Sequence, residues 1–314
     1  MVSGVFLLRS EVLIKIQTDQ YKYSPLVATP SQRRKPGTVA VALVTLITIY
    51  IIMFTIPKSP SVHIPADNST TPPPITTKVA TIIEDRPLDT LVPLLLHFSS
   101  VLGSEWPIVL YTSQDILPIS RPFQRAINES RIIIRDLPSE VHFVGQESVS
   151  NFLTQPWLWE QLAPAEHVLL FQADSILCSN SALKVDDFLE YDFVGAPIDP
   201  SYGQGYNGGL SLRNRTMILD ILSNSSWKDE KASAENPADP GVEFEDQWYY
   251  NKMVERGAVL PSLDVAQTFA VETLFYDTPL GYHQVERWQG DNMEKIDRWC
   301  PEHRLASRDL IISH

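Results

Sequence analysis

His167-Val168-Leu169-Leu170-Phe171-Gln172-Ala173-Asp174-Ser175 is a short apolar run that ends abruptly on a single carboxylate. A run of this length, closed by turn-forming residues, reads as a strand buried on both faces. In open α/β sheets ligands collect at the carboxyl ends of the strands, so Asp174 stands where a cation bridging a phosphate could be held. The same residue would also serve as the cap of the next turn.

Strand-like and helix-like segments alternate on both sides of this run. Val79-Ala80-Thr81-Ile82-Ile83 reads as a buried strand ending on Glu84-Asp85-Arg86, and Leu88 to Leu102 carries helical spacing. Further strands are expected at Ile108 to Thr112, Ile132 to Ile134 and Phe193 to Gly195, with a helix from Ser148 to Leu162. Such alternation implies a mainly parallel sheet with helices on both faces.

The segment from Thr38 to Ile56, TVAVALVTLITIYIIMFTI, has 19 residues and no charge, about the length of a membrane-spanning helix. Arg33, Arg34 and Lys35 precede it and Lys58 is the nearby base after it, so the amino end is expected to stay cytosolic. The expected organisation is a cytosolic tail over 1–37, a signal anchor over 38–56, a Pro/Ser/Thr-rich stem over 57–77, a domain over 78–290 and an extension over 291–314.

Residues 1–37 hold six basic and two acidic side chains, a balance of +4 that leaves −17 for the rest of a chain with net charge −13. So acidic a body argues against nucleic acid and favours a site that recruits metal cations to reach an anionic substrate. Sequons at Asn68, Asn128, Asn214 and Asn224 all follow the apolar segment, in agreement with a lumenal domain. Cys178 and Cys300 are the chain's two cysteines. A lumenal compartment permits their bonding, and the spacing leaves a disulfide and two buried thiols equally open.

Beyond Asp174 lies a glycine-dense stretch, Tyr202-Gly203-Gln204-Gly205-Tyr206-Asn207-Gly208-Gly209-Leu210-Ser211-Leu212-Arg213, read as a loop running into a short strand and then a helix over Thr216 to Leu222. Glu243-Phe244-Glu245-Asp246-Gln247 opens an expected helix through Val254. Its carboxylates suit either capping or the deprotonation of an attacking hydroxyl. Pro279-Leu280-Gly281-Tyr282-His283 presents a late histidine after a turn. Trp157 and Trp159 suit core packing first and stacking on a sugar or base second.

An apolar strand ending in a DxD-like acid, an Asn-Gly-Gly-Leu-Ser-Leu-Arg segment, a Glu-Asp-Gln helix start and a late Gly-x-His, in that order, resemble the GT-A type glycosyltransferases. Ile83-Glu84-Asp85-Arg86-Pro87, His97-Phe98-Ser99-Ser100, Phe171-Gln172-Ala173-Asp174-Ser175 and Glu245-Asp246-Gln247 are similar to an uncharacterised fungal-type family of membrane-anchored glycosyltransferases. The resemblance covers roughly Lys78 to Gln284 and implies a GT-A-like, Rossmann-like mixed sheet. It implies that Asp174 and His283 bind Mn²⁺ or Mg²⁺, which holds the diphosphate of a nucleotide-sugar donor. Glu84, Arg86 and Gln172 would lie at the nucleotide, and Asn207, Gly208 and Gly209 would line the sugar pocket. Asp246 or Glu245 would be the general base of an inverting transfer.

The activity so implied is that of a type II glycosyltransferase of the Golgi or endoplasmic reticulum, acting on a glycan or glycoprotein, with no nucleic-acid partner. One departure stands out: the first acid of the usual Asp-x-Asp is Gln172, a neutral amide that contributes less to cation affinity. That departure leaves room for a metal-free or catalytically inactive glycan-binding or scaffolding protein. A metal-dependent phosphoester hydrolase would require more clustered Asp and His than the chain supplies.

Overall fold

The computed structural model describes residues 75–113, 117 and 120–306. The expected tail and anchor, and the stem up to residue 74, lie outside the described residues. Among the described residues no helix is long and apolar enough to cross a membrane.

Six strands form the main sheet: β1 (Lys78–Ile83), β2 (Ile108–Thr112), β3 (Ile132–Asp136), β4 (His167–Phe171), β6 (Phe193–Pro197) and β7 (Tyr206–Asn214), in the order β3-β2-β1-β4-β7-β6. The ladders from β3 to β4 are parallel, and β7 runs antiparallel to both β4 and β6. Val79, Ala80, Thr81 and Ile82 are all buried although successive side chains point to opposite faces, so both faces of β1 are covered. A small second sheet pairs β5 (Ser175–Leu177) with β9 (Gly281–His283) and β9 with β8 (Ala270–Val271). It sits directly after Asp174 and brings the late histidine back to it.

The helices are α1 (Leu91–Leu102), α2 (Arg121–Asn128), α3 (Gln146–Leu153), α4 (Pro156–Gln161), α5 (Arg215–Asn224), α6 (Trp227–Ser233), α7 (Pro240–Glu243), α8 (Glu245–Glu255), α9 (Leu263–Phe269), α10 (Val285–Trp288) and α11 (Met293–Trp299). The expected helix over Ser148 to Leu162 is two helices. Pro156 has no N–H and forces the preceding Gln155 into an extended conformation (φ −102°, ψ 147°), so the run breaks there. The Glu243 start is corrected as well: Glu243 closes the short α7, Phe244 is extended, and α8 begins at Glu245.

The glycine-dense loop is also shorter than the sequence suggested. Asn207, Gly208 and Gly209 belong to the nine-residue β7. The β4–β7 ladder ends at Phe171 opposite Leu210, so these three residues project past the rim of β4. Neither glycine has a positive φ, and the strand is held by its neighbours in spite of its composition.

The His97-Phe98-Ser99 motif is structural. His97 Nε2 meets the Leu177 carbonyl at 2.7 Å, Phe98 stacks on Phe171 with centroids 3.9 Å apart, and Ser99 accepts from Arg131. Trp159 is fully buried, donating to the Leu153 carbonyl, and Trp157 packs edge-on against Tyr111, so both belong to the core.

Cys178, which follows β5, is bonded to Cys300 at the end of α11, across a separation of 122 residues. The bond fastens the carboxyl-terminal segment to the rim that carries Asp174. Closing so long a loop removes much freedom from the unfolded chain, so Cys300→Ser is expected to cost about 2–5 kcal/mol. Denaturant unfolding of this variant beside the parent checks it; equal midpoints would show that the bond contributes nothing.

Candidate active site

The site is organised around the Asn207-Gly208-Gly209 segment of β7. Gly209 receives the turn after β4: its carbonyl accepts from Gln172 N at 2.8 Å and from Ser175 Oγ at 2.7 Å. Gly208 N–H donates to Asp246 Oδ2 at 2.8 Å. Asn207 Oδ1 accepts from Gly209 N at 2.7 Å, and its Nδ2 donates to Glu272 Oε1 at 3.1 Å. Three consecutive residues thus join the β4 turn, the start of α8 and the loop after β8.

The glycines are there for close approach. A Cβ on Gly209 would lie 2.2 Å from His283 Nε2, and one on Gly208 would lie 2.4 Å from Arg213 Nη2. The imidazole therefore rests against the bare backbone of β7.

His283 sits between two carboxylates. Its Nδ1 is 3.0 Å from Glu272 Oε1, and its Nε2 is 3.3 Å from Asp174 Oδ1 and 3.2 Å from Gln172 Oε1. Burial pushes its pKa down, but Asp174 and Glu272 outweigh burial and hold it up at about 10. For Asp174, burial raises the pKa while the charge of His283 and hydrogen bonds from His283 and Gln284 lower it, for a net depression. Gln284 Nε2 donates to Asp174 Oδ2 at 3.0 Å, while the buried Oδ1 has the His283 ion pair at 3.3 Å as its polar neighbour, outside good hydrogen-bond geometry.

This arrangement fits a divalent cation. His283 Nε2 lies 3.3 Å from Asp174 Oδ1 and 3.2 Å from Gln172 Oε1, little more than the roughly 3 Å between adjacent ligands of an octahedral ion with bonds of about 2.1 Å. Glu272 on Nδ1 orients the ring, as carboxylates do for histidines at metal centres, and a cation held at Nε2 would have to displace its proton. Among the described residues no three His, Cys, Asp or Glu side chains converge on one point. Two such ligands, one amide, and oxygens from a diphosphate and water would make up the shell. Magnesium-type ions are commonly held in that way.

Asp246, on the other side of the segment, is clamped. Oδ2 accepts from Gly208 N and Oδ1 from Gln247 N at 2.7 Å. Burial, then the neighbouring charge of Glu245, push its pKa up to about 7, against those two backbone bonds and Arg213, which pull it down. Glu245 is turned inward: Oε2 accepts from Ser150 at 2.9 Å and Oε1 lies 3.7 Å from Arg213 Nη2. Its role is to hold the fully buried Arg213 guanidinium, which is ringed by Trp159, Phe193 and Tyr249 at 5.1–5.8 Å. Both oxygens of Glu245 are thus engaged, one by Ser150 and one by Arg213.

Glu84 and Arg86 occupy the same carboxyl-terminal rim, just past β1. They grip one another, with Glu84 Oε1 accepting from Arg86 N and Nε and Oε2 from Nη2, at 2.8–3.0 Å. Asn214, one of the sequons, caps α5 by accepting from Met217 N and donates to Asp192, so its amide is built into the fold.

Residues 131–283 match the model of a family described as a protein of unknown function (DUF5672). No curated protein matches the chain. Among solved structures it is similar to the apo form of the glycosyltransferase GlyE of Streptococcus pneumoniae TIGR4, with 13% identity over 66% of this chain and 54% of that one and a TM-score of 0.41. It is similar to TarS of S. aureus, with 13% identity over 66% and 36% of the two chains and a TM-score of 0.40. A shorter TarS chain in complex with UDP gives 13% identity over 65% and 60% and a TM-score of 0.36. The chain spans about half the length of GlyE.

Proposed function

We propose that the chain is a metal-dependent glycosyltransferase, anchored as a type II membrane protein of the Golgi or endoplasmic reticulum, that moves a sugar from a nucleotide-sugar donor to a glycan or glycoprotein acceptor. The observation that carries this reading is the convergence on β7. The Asp174–His283–Gln172 cluster packs against Gly209, and the carboxylate of Asp246 accepts from the N–H of the preceding Gly208, which supports a cation site and a base carried by the same segment of β7.

Asp174, His283 and Gln172 would hold Mn²⁺ or Mg²⁺, which when bound would supply positive charge to the departing nucleoside diphosphate. Gln284 holds the Asp174 carboxylate in place, and Glu272 holds the His283 ring. Asp246 takes the proton of the acceptor hydroxyl at the carboxylate its two backbone bonds orient, which makes the transfer inverting. The uncharged segment over 38–56 and the bases before it support the anchor, and the Cys178–Cys300 bond suits an oxidising lumen.

A second reading, a glycan-binding or scaffolding protein without catalysis, is favoured by the neutral Gln172 and by His283, which as an imidazolium satisfies both carboxylates without a cation. Turnover of UDP-hexoses by the full-length chain with Mn²⁺, with and without EDTA, separates the two. The transferase reading expects donor hydrolysis that EDTA abolishes and that Asp174→Ala lowers by about 10²-fold or more, since loss of a ligand's support alone costs up to that much. Donor turnover indifferent to EDTA and to Asp174→Ala would refute the cation site.

A further inference from the structure

A cleft of about 240 Å³ opens one residue from Asp246. It is lined by Gly203 and Gln204, by Asp239 to Gly241 at the start of α7, and by Gln247 and Asn251 of α8. The lining is pre-organised by its own amides. Gln247 Oε1 accepts from Gln204 N at 2.9 Å, Gln247 Nε2 donates to the Tyr202 carbonyl at 3.3 Å, and Gln204 Nε2 donates to Asn251 Oδ1 at 2.7 Å.

Tyr202, next in the chain to the lining Gly203, is 51% exposed and meets the Trp288 ring edge-on, with centroids 5.0 Å apart. Trp288 belongs to α10, which follows His283 in the chain. The Gly203 backbone fits closely against Gln247, whose Oε1 would lie 1.9 Å from an added Cβ.

We infer that this cleft is the acceptor subsite and that it takes an uncharged saccharide. The word acceptor rests on the glycosyltransferase reading; saccharide binding does not. Three carboxamides and one carboxylate offer the mixed donors and acceptors that hydroxyl groups need, and the Tyr202 ring gives the apolar C–H face of a sugar a surface to lie on. The lining holds one acidic side chain, Asp239, and no base, so phosphorylated, sulfated or sialylated acceptors are disfavoured by an unpaired like charge. Gln247, which lines the cleft, also donates its backbone N–H to Asp246 Oδ1 at 2.7 Å, so the cleft adjoins the residue proposed as base.

Saturation-transfer NMR on the full-length chain tests this, with lactose, cellobiose, mannobiose and diacetylchitobiose as probes, 3′-sialyllactose as the acidic counterpart, and UDP with Mn²⁺ titrated in parallel. At least one neutral disaccharide is expected to bind, with affinity reduced about tenfold or more by Tyr202→Ala and by Asn251→Ala. The two variants should keep the parent's unfolding midpoint, and sialyllactose should bind more weakly than lactose. Failure of every neutral disaccharide to bind, binding that survives both substitutions, or equal binding of sialyllactose would overturn the inference. If UDP binds and no disaccharide does, the cleft assignment falls and the transferase reading stands. If a disaccharide binds and UDP does not, the reverse holds.

Discussion

Asp246→Asn is expected to lower transfer by about 10²–10⁴-fold, the usual contribution of a positioned general base, while UDP and Mn²⁺ affinities change little. The substitution keeps the size of the side chain and removes its capacity to hold a proton. It also forces the new NH₂ group to face one of the two backbone donors, Gly208 N or Gln247 N, that the carboxylate accepts. Against that cost stands the relief of a buried charge, so the variant should remain folded.

The pH behaviour separates a base from a structural clamp. With a folded pKa of about 7, above the ordinary carboxylate value, the parent's kcat should rise with pH through about 7 and then level off. Stability has the opposite sign. The folded state holds the Asp246 proton more tightly than the unfolded chain does. The stability this contributes is complete below the unfolded value near 4 and is lost as pH rises through about 7. Asp246→Asn should remove both trends in the difference from parent. Kinetics and denaturant unfolding at pH 5, 6, 7 and 8 measure them. An Asn variant with parental turnover would reduce Asp246 to a clamp at the start of α8 and make a retaining mechanism the better account.

Gly209→Ala carries the second large effect. One added methyl meets His283 Nε2, Cε1 and Cδ2 at 2.2–2.6 Å, and the ring is buried, rigid and pinned by Glu272 on its far side. The ring therefore has to rotate or β7 has to shift, and either breaks the approach of Nε2 to Asp174 Oδ1. Overpacking of this kind typically costs about 1–3 kcal/mol, and loss of the ligand arrangement should abolish Mn²⁺-dependent nucleotide binding by about 10²-fold. Calorimetric titration of UDP with Mn²⁺, together with an unfolding curve, reads both. A variant of parental stability and affinity would mean that the imidazole does not rest against β7. Gly208→Ala meets Arg213 Nη2, the end of a longer side chain but one enclosed by three aromatic rings. Its cost should fall on stability more than on the cation.

The inner strands were legible because β1, β2 and β4 are buried on both faces and therefore read as unbroken apolar runs. The break at Pro156 was also written in the chain, but helical spacing on either side of it spans a stop that only the proline's missing N–H explains. Gly208 and Gly209 gave a signal whose cause lay elsewhere: their bareness admits His283 and Arg213 rather than a flexible turn. Glu272 gave no usable signal. It follows a strand of two residues, Ala270–Val271, too short for any periodicity, and its importance comes wholly from the parallel pairing of β8 with β9. The proximity of Asp174 to His283, 109 positions later, is likewise the product of the β5–β9 ladder, in which Ser175 pairs with His283. Spacing along the chain does not carry that information. Nor does it carry the Cys178–Cys300 bond, which requires α11 to return to the end of β5.

The central claim is that Asp174, His283 and Gln172 hold a cation that grips a diphosphate. Electron–nuclear double resonance of Mn²⁺ bound to the full-length chain tests it most directly, because it reads which nuclei touch the ion. The account predicts a ¹⁴N coupling from one histidine that disappears in His283→Ala, and a ³¹P coupling that appears when UDP is added and is lost in Asp174→Ala. A spectrum that stays that of the aqueous ion in the presence of UDP, or one unchanged by both substitutions, would contradict it.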